Sequence, residues 1–326
     1  MRSAAYTAAA SAAICLAWSF AAPGACAQQT PQLSQYLHNP SVINPALTGI
    51  DVKGSVFAAS RAQWMGVEGA PVTAGANVTL PVGGRRVRGR FASSHSGAGA
   101  KLYVDREGAF LRTGVYGAYA YHVRLGRDLF WSTGLFAGLL QVRYDATEAV
   151  LVQSERDALV FSSGDVAPDA GLGTFLYNDR YFGGLSVNHV FAAPGRLDAE
   201  GLADATLASL ARDYTVLAGA RFPLPSRGQT LVPSVLVKHL PGAPVQVDVN
   251  GKIYFDDAGW LGLSYRHRDA LVALAGMRFA EQFTAGLSYD FTLSRLRADS
   301  RGSAELVVSY SFPKGDRGFG CPQSQF

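Results

Sequence analysis

The feature that most constrains this chain is a two-residue alternation of apolar and polar side chains. It is clearest from Phe283 to Phe291, where Phe283, Ala285, Leu287, Tyr289 and Phe291 alternate with Thr284, Gly286, Ser288 and Asp290. Successive side chains of an extended strand point to opposite faces, so this segment has one greasy and one polar side. The same split recurs in Leu261 to Arg266, in Gly184 to Asn188, and in Glu305 to Phe312, where Leu306, Val308, Tyr310 and Phe312 align. Turn formers stand between such runs: Asn178-Asp179-Arg180, Pro225 to Gly228, Asp256-Asp257 and His267-Arg268-Asp269. These residues punctuate strands for conformational reasons. The pattern predicts fourteen strands, at 53–64, 71–81, 97–105, 112–124, 128–144, 167–177, 181–190, 213–223, 230–239, 244–254, 258–266, 270–279, 282–291 and 304–312.

Most runs are about 8–12 residues long, which suits a tilted strand crossing a bilayer. Strands of a soluble sandwich are nearer 5–6 residues. A soluble β-protein turns its greasy face inward; a membrane barrel turns it outward around a polar lumen, and single-chain bacterial barrels have an even strand count. Here the polar sides are rich in Gly, Ser and Thr with isolated Asp, Arg and Asn, as a lumen requires. Aromatic residues gather near strand ends: Tyr119, Tyr121, Phe130, Trp131, Tyr181, Phe182, Trp260, Phe291 and Phe312. Amphipathic rings favour the headgroup level. The mean hydropathy is +0.09, and after residue 27 nothing approaches the ~18–20 apolar residues of a spanning helix. The expected fold is therefore all-β: a transmembrane antiparallel β-barrel of about fourteen strands, forming one domain. Phe136, Arg266 and Arg278 are candidates to fill its lumen. The net charge of +4 is spread along the chain and does not read as a nucleic-acid surface.

The first residues carry a targeting signal. Met1-Arg2 supplies positive charge, Ala8 to Ala22 is almost without polarity, and Ala25-Cys26-Ala27 offers small residues at a cleavage site. That order is a secretory signal peptide, with the cut expected after Ala27. A rival reading makes Cys26 a lipid-bearing cysteine, but Pro23 is a poor approach to one. The chain divides into a signal peptide (1–27), a lead segment (28–52), the barrel (53–312) and a tail (313–326), and is expected in the outer membrane. Three longer connections interrupt the rhythm: Gly83 to Ser96 with Arg85, Arg86, Arg88 and Arg90; Asp145 to Val166; and Ala192 to Arg212, mildly helical from Leu197 to Leu210. Membrane barrels carry their long loops on the outer side, so these are candidate recognition surfaces.

Catalytic chemistry is not visible. There is no G-x-S-x-G, H-E-x-x-H or Walker pattern. His38, His95, His122, His189, His239 and His267 are scattered without ligand spacing, and Asp256-Asp257 lacks the further oxygen ligands of a calcium loop. No cofactor or metal is implied. The chain reads as a non-enzyme.

The start of the mature chain is not generic barrel. Two Asn-Pro pairs, Asn39-Pro40 and Asn44-Pro45, follow Gln32, Ser34, Gln35 and Tyr36 and precede Ala46 and Gly49. Asn-Pro favours turn initiation. Arg61, Gln63 and Trp64 come next, then Gly69-Ala70-Pro71 and Thr73. Further on stand Pro233-Ser234, Leu236, Lys238 and Pro241 to Pro244, then Trp260-Leu261-Gly262 with Ser264 to Arg266, and Gly286 with Ser288 to Phe291. In this order the motifs resemble the PorP/SprF family, outer-membrane proteins of the type IX secretion and gliding motility system of Bacteroidota. His38, where the family prefers a bulky apolar residue, and Leu47-Thr48, in place of Tyr-Ala, depart from its pattern.

The resemblance implies a non-enzymatic barrel in outer-membrane lipid that supports export or cell-surface retention of secreted proteins. Its implied partners are periplasmic or outer-membrane components of that machine, or the C-terminal sorting domains of its cargo. Gln35, Tyr36, Asn39, Pro40, Asn44, Pro45, Arg61, Gln63, Trp64, Pro71 and Thr73 are the candidates for binding a partner, or else for closing the barrel or plugging its lumen. A passive channel for small solutes is the alternative. An outer-membrane lipase or protease ranks last, for want of a Ser/His/Asp arrangement.

Overall fold

The computed structural model describes residues 31–87, 90–144, 163–191, 211–225, 228–256 and 258–313. The signal peptide, the segment Leu197 to Leu210 and nearly all of the tail lie outside them. Fourteen strands form the wall: β1 Ser55–Ala62, β2 Val72–Val82, β3 His95–Glu107, β4 Phe110–Arg124, β5 Phe130–Tyr144, β6 Ser163–Tyr177 and β7 Tyr181–Asn188, then β8 Asp213–Ala220, β9 Gln229–His239, β10 Gln246–Phe255, β11 Gly259–Arg266, β12 Ala270–Arg278, β13 Phe283–Thr292 and β14 Ser303–Ser311. Every neighbouring pair is antiparallel, and β1 pairs with both β2 and β14, so the sheet closes on itself. Closure leaves no exposed edge. A two-residue strand, Phe222–Pro223, extends the pairing on β9, and Arg86–Val87 pairs with Arg90–Phe91 as a small separate hairpin.

The greasy face points out. Leu261, Leu263 and Leu287 are 57 %, 62 % and 62 % exposed, while Ser264, Ser288 and Asp290, one residue away on the same strands, are 4 %, 5 % and 1 % exposed. This inverted distribution is that of a wall facing hydrocarbon around a polar interior. The outward aromatic set includes Tyr119, Tyr121, Trp131, Tyr181 and Phe291. Phe182 and Trp260, read from sequence as belt residues, instead point inward and are buried. Their positions near strand ends do not reveal their side; strand parity does.

Parity also sorts the connections. The chain enters β1 and leaves β14 at one end, here the terminal end, which also carries the turns Leu125 to Leu129, Asn178 to Arg180, and Phe279 to Gln282. The connections from β5 to β6 and from β7 to β8 leave from the opposite end, here the loop end. The arginine-rich connection from β2 to β3 lies at the terminal end, apart from the other two long ones. It is folded over the rim: Phe91 stacks on His95 with ring centroids 3.4 Å apart, and Arg124 donates to the Ala92 carbonyl.

Candidate functional site

The lumen is filled by the chain's own lead. Pro31 begins in the loop-end half of the bore, and the chain then runs lengthwise to the terminal end, where it enters β1. Both Asn-Pro pairs open short 3-10 turns, Pro40–Val42 and Pro45–Leu47. Proline suits the first position of such a turn because no N–H is needed there. Asn44 caps the second turn, its Oδ1 accepting from the Ala46 N–H at 2.9 Å.

In the loop-end half the contacts are charged. Arg61 on β1 reaches Asp290 on β13 at 2.7 Å and Glu305 on β14 at 3.4 Å. Arg266 on β11 reaches Asp248 at 3.1 Å, Asp290 at 3.0 Å and Asp269 at 3.3 Å. Ser34 sits in the middle. Its hydroxyl accepts from Arg61 at 3.0 Å and Arg266 at 3.2 Å, and donates to the Asp290 carboxylate at 3.1 Å. The backbone N–H groups of Ser34 and Gln35 donate to Glu305 at 2.7 and 2.9 Å. Buried charges persist only when paired and hydrogen-bonded, and here the lead supplies part of the pairing. The Gln35 side chain is read from both sides: its Nε2 donates to the Leu287 carbonyl, and its Oε1 accepts from Trp260 Nε1 at 3.3 Å and Lys252 at 3.4 Å. Gln63 donates to the Gln32 side chain at 3.2 Å.

In the terminal half the contacts are neutral. The Ile43 carbonyl accepts from Ser186, and Asn44 Nδ2 donates to the carbonyls of Thr174 and Leu185. The carbonyls of Thr48 and Gly49 lie 2.9 Å and 3.3 Å from the Nε2 atoms of His122 and His95. A carbonyl cannot donate, so both imidazoles carry their proton on Nε2. The two rings stack across β3 and β4 with centroids 4.3 Å apart, a pairing that their separation in sequence conceals. The strands beneath are floored by glycine. A β-carbon at Gly97 would come 1.9 Å from the Thr48 carbonyl oxygen, and one at Gly134 2.5 Å from that of Pro45.

His38 occupies its unusual position by behaving as an aromatic. It stacks on Trp260 at 4.6 Å, lies 5.6 Å from Phe57, and pairs with the Ser309 hydroxyl at 3.1 Å.

Of the eleven candidate residues, Gln35, Tyr36, Asn39, Pro40, Asn44, Pro45, Arg61, Gln63, Pro71 and Thr73 are buried, and Trp64 is partly exposed. Tyr36 approaches Ser234, Asn39 pairs with Asn77, the Gln63 N–H donates to the Pro71 carbonyl, and Thr73 donates to Asp105 at 2.6 Å. Ten of the side chains are therefore within the protein. Sequence reasoning missed Lys252, Asp290 and Glu305 as partners of the lead. Their signal was present: each is a charged residue on a polar strand face. Two cavities flank the lead. One, of about 140 Å³, lies toward the terminal end, lined by His38, Lys53, Trp260 and Arg278. The other, of about 70 Å³, lies toward the loop end, lined by Leu33, Lys101, Tyr116, Phe136 and His189.

Several known structures match the chain at low similarity. Omp33, an outer-membrane protein of Acinetobacter baumannii, is 7 % identical with a TM-score of 0.44, covering 81 % of this chain and 100 % of its own. The toluene transporter TbuX of Ralstonia pickettii is 11 % identical with a TM-score of 0.46, over 85 % and 92 %. A deletion mutant of the monoaromatic hydrocarbon channel TodX is 9 % identical with a TM-score of 0.47, over 86 % and 94 %. No curated protein matches the chain. The family model for the type IX secretion system membrane protein PorP/SprF matches residues 25–310, and the chain belongs to that family.

Proposed function

We propose that this protein is a non-enzymatic outer-membrane component of the type IX system that supports export or surface retention of secreted proteins by docking, with its own lead as a permanent stopper. The single observation that carries this reading is the filled lumen: residues 32 to 49 are buried almost without interruption along the bore. A family of secretion membrane proteins with a stoppered barrel has its two rims left to meet partners. The short turns and both ends of the barrel chain at the terminal end support a periplasmic position for it. The arginine-rich hairpin then faces the periplasmic machinery, and the β5–β6 and β7–β8 connections face outward, toward cargo. Six of the eleven motif residues form the lead, Arg61 and Gln63 hold it, and partners meet the rims.

Deleting the gene should remove one or more large proteins from the cell surface. Unchanged surface and secreted proteomes, with no sister gene compensating, would end this reading. The passive channel is tested separately in planar bilayers, where the purified barrel is expected to be closed and a steady open pore would favour the channel.

A further inference from the structure

The loop-end cavity holds two polar groups that the lead does not use. The Lys101 ammonium lies 3.5 Å from the Phe136 ring centroid and 4.8 Å from that of Tyr116, and makes no ion pair among the described residues. Aromatic faces attract a cation, but they leave its N–H donors without acceptors. Tyr116 donates its hydroxyl to Asp169 Oδ2 at 2.8 Å, and His189 Nδ1 meets the same oxygen at 2.8 Å. That orients the histidine and leaves Nε2 as its other face. Nε2 is buried and has no hydrogen-bond partner among the described residues. The His189 backbone is left-handed, φ +56°, a conformation uncommon outside glycine that concentrates at functional positions. A buried ammonium without an acceptor calls for one, while the orphaned nitrogen accepts in the neutral imidazole and donates only with a second proton on the ring, so an acid that brings that proton satisfies both.

We propose that this cavity binds a small carboxylate. One carboxylate oxygen accepts from the Lys101 ammonium and the other from His189 Nε2–H, whose proton arrives with the acid, while Asp169 stays on Nδ1. The carbon stub of the ligand lies against Leu33, Ile43 and Phe57, which line the same space. The charges facing the cavity fit this count. Lys101 and Lys238 stand against Asp169 and Asp213, and a carboxylate that enters together with its proton leaves that balance unchanged. A space of about 70 Å³ takes only a few heavy atoms. The carboxylate belongs to a free short-chain acid or to the C-terminus of a peptide. The proposal stands independently of the export role.

The test is calorimetric titration of the full barrel in detergent micelles at pH 6, with butyrate, with N-acetyl-dialanine, with its C-terminal amide, with butanol and with inorganic phosphate. Saturable binding is expected for a free carboxylate and not for the amide or the alcohol. Butyrate alone assigns a free acid, and tighter binding of the peptide assigns a chain terminus. Lys101→Met and His189→Gln are each expected to weaken binding about ten-fold or more, as loss of a charge-assisted bond does. Lys101→Arg retains it. Lys53→Gln, at the other cavity, leaves it within two-fold. No saturable heat with either carboxylate overturns the proposal, and so does equal binding of phosphate, or of both weakening variants in folded form. If a variant does not fold, the wild-type comparison of acid against amide and alcohol decides.

Discussion

The lead is gripped by opposite chemistry at its two ends. Near the loop end, Ser34 and Gln35 are held by ionised groups from four strands, β1, β11, β13 and β14. Near the terminal end, residues 43 to 49 are held by neutral hydrogen bonds to their own carbonyls and lie on a glycine floor. The first grip depends on paired charges. The second has little charge but a strict shape. A buried ion network fails when one member is removed, because the rest are left uncompensated. A close-packed floor fails when an atom is added.

The largest expected effect follows from the first grip. Arg61→Ala leaves Asp290 and Glu305 without their shared cation and should cost about 3–5 kcal/mol, read from the urea-unfolding midpoint in micelles. An unchanged midpoint would break the comparison at its charged end. Gly97→Val attacks the neutral end by overpacking, at about 1–3 kcal/mol. It should also displace the lead, so that chymotrypsin cleaves at Tyr36 and channel conductance rises. If the lead stays protected, shape is not what holds it there.

Removing the ring tests the middle of the lead. His38→Ala gives up the stack on Trp260 and the contact with Phe57 and should cost about 1.5 kcal/mol, read from the same midpoint, whereas His38→Phe should keep most of it. Equal midpoints for His38→Ala and the wild type would show that the middle is not gripped. The smallest effect is expected for Asn44→Ala, which removes a turn cap at about 1 kcal/mol. Equal losses for Asn44→Ala and Arg61→Ala would erase the distinction between the two ends.

Much of the wall was legible before the fold. All fourteen predicted strands are present, most shifted by no more than two or three residues at their ends. That Leu287 and Asp290 lie on opposite faces follows from alternation alone, and that the greasy face is the outer one follows from reading the chain as a membrane barrel. The candidate site was legible only as a set of unusual residues. Arg61 carries no mark in sequence of the Asp290 and Glu305 it meets, which lie more than two hundred positions away. Trp260 and Phe182 were assigned to the membrane belt because they sit near strand ends, yet they face the lead. His95 and His122 look unrelated in sequence, and strand register makes them a stacked pair.

By itself the sequence determined the class of fold, the number of strands and the outward greasy face, because a strand's side-chain period is a local property of the extended backbone. It also marked the lead as something other than a strand, since proline and asparagine restrict their own dihedrals. Only the tertiary structure decided that this lead occupies the bore. That outcome depends on closing β1 against β14 and on matching one short segment to charges, histidines and glycines from the whole circumference. Such complementarity is a sum over distant pairs, and no local pattern encodes it.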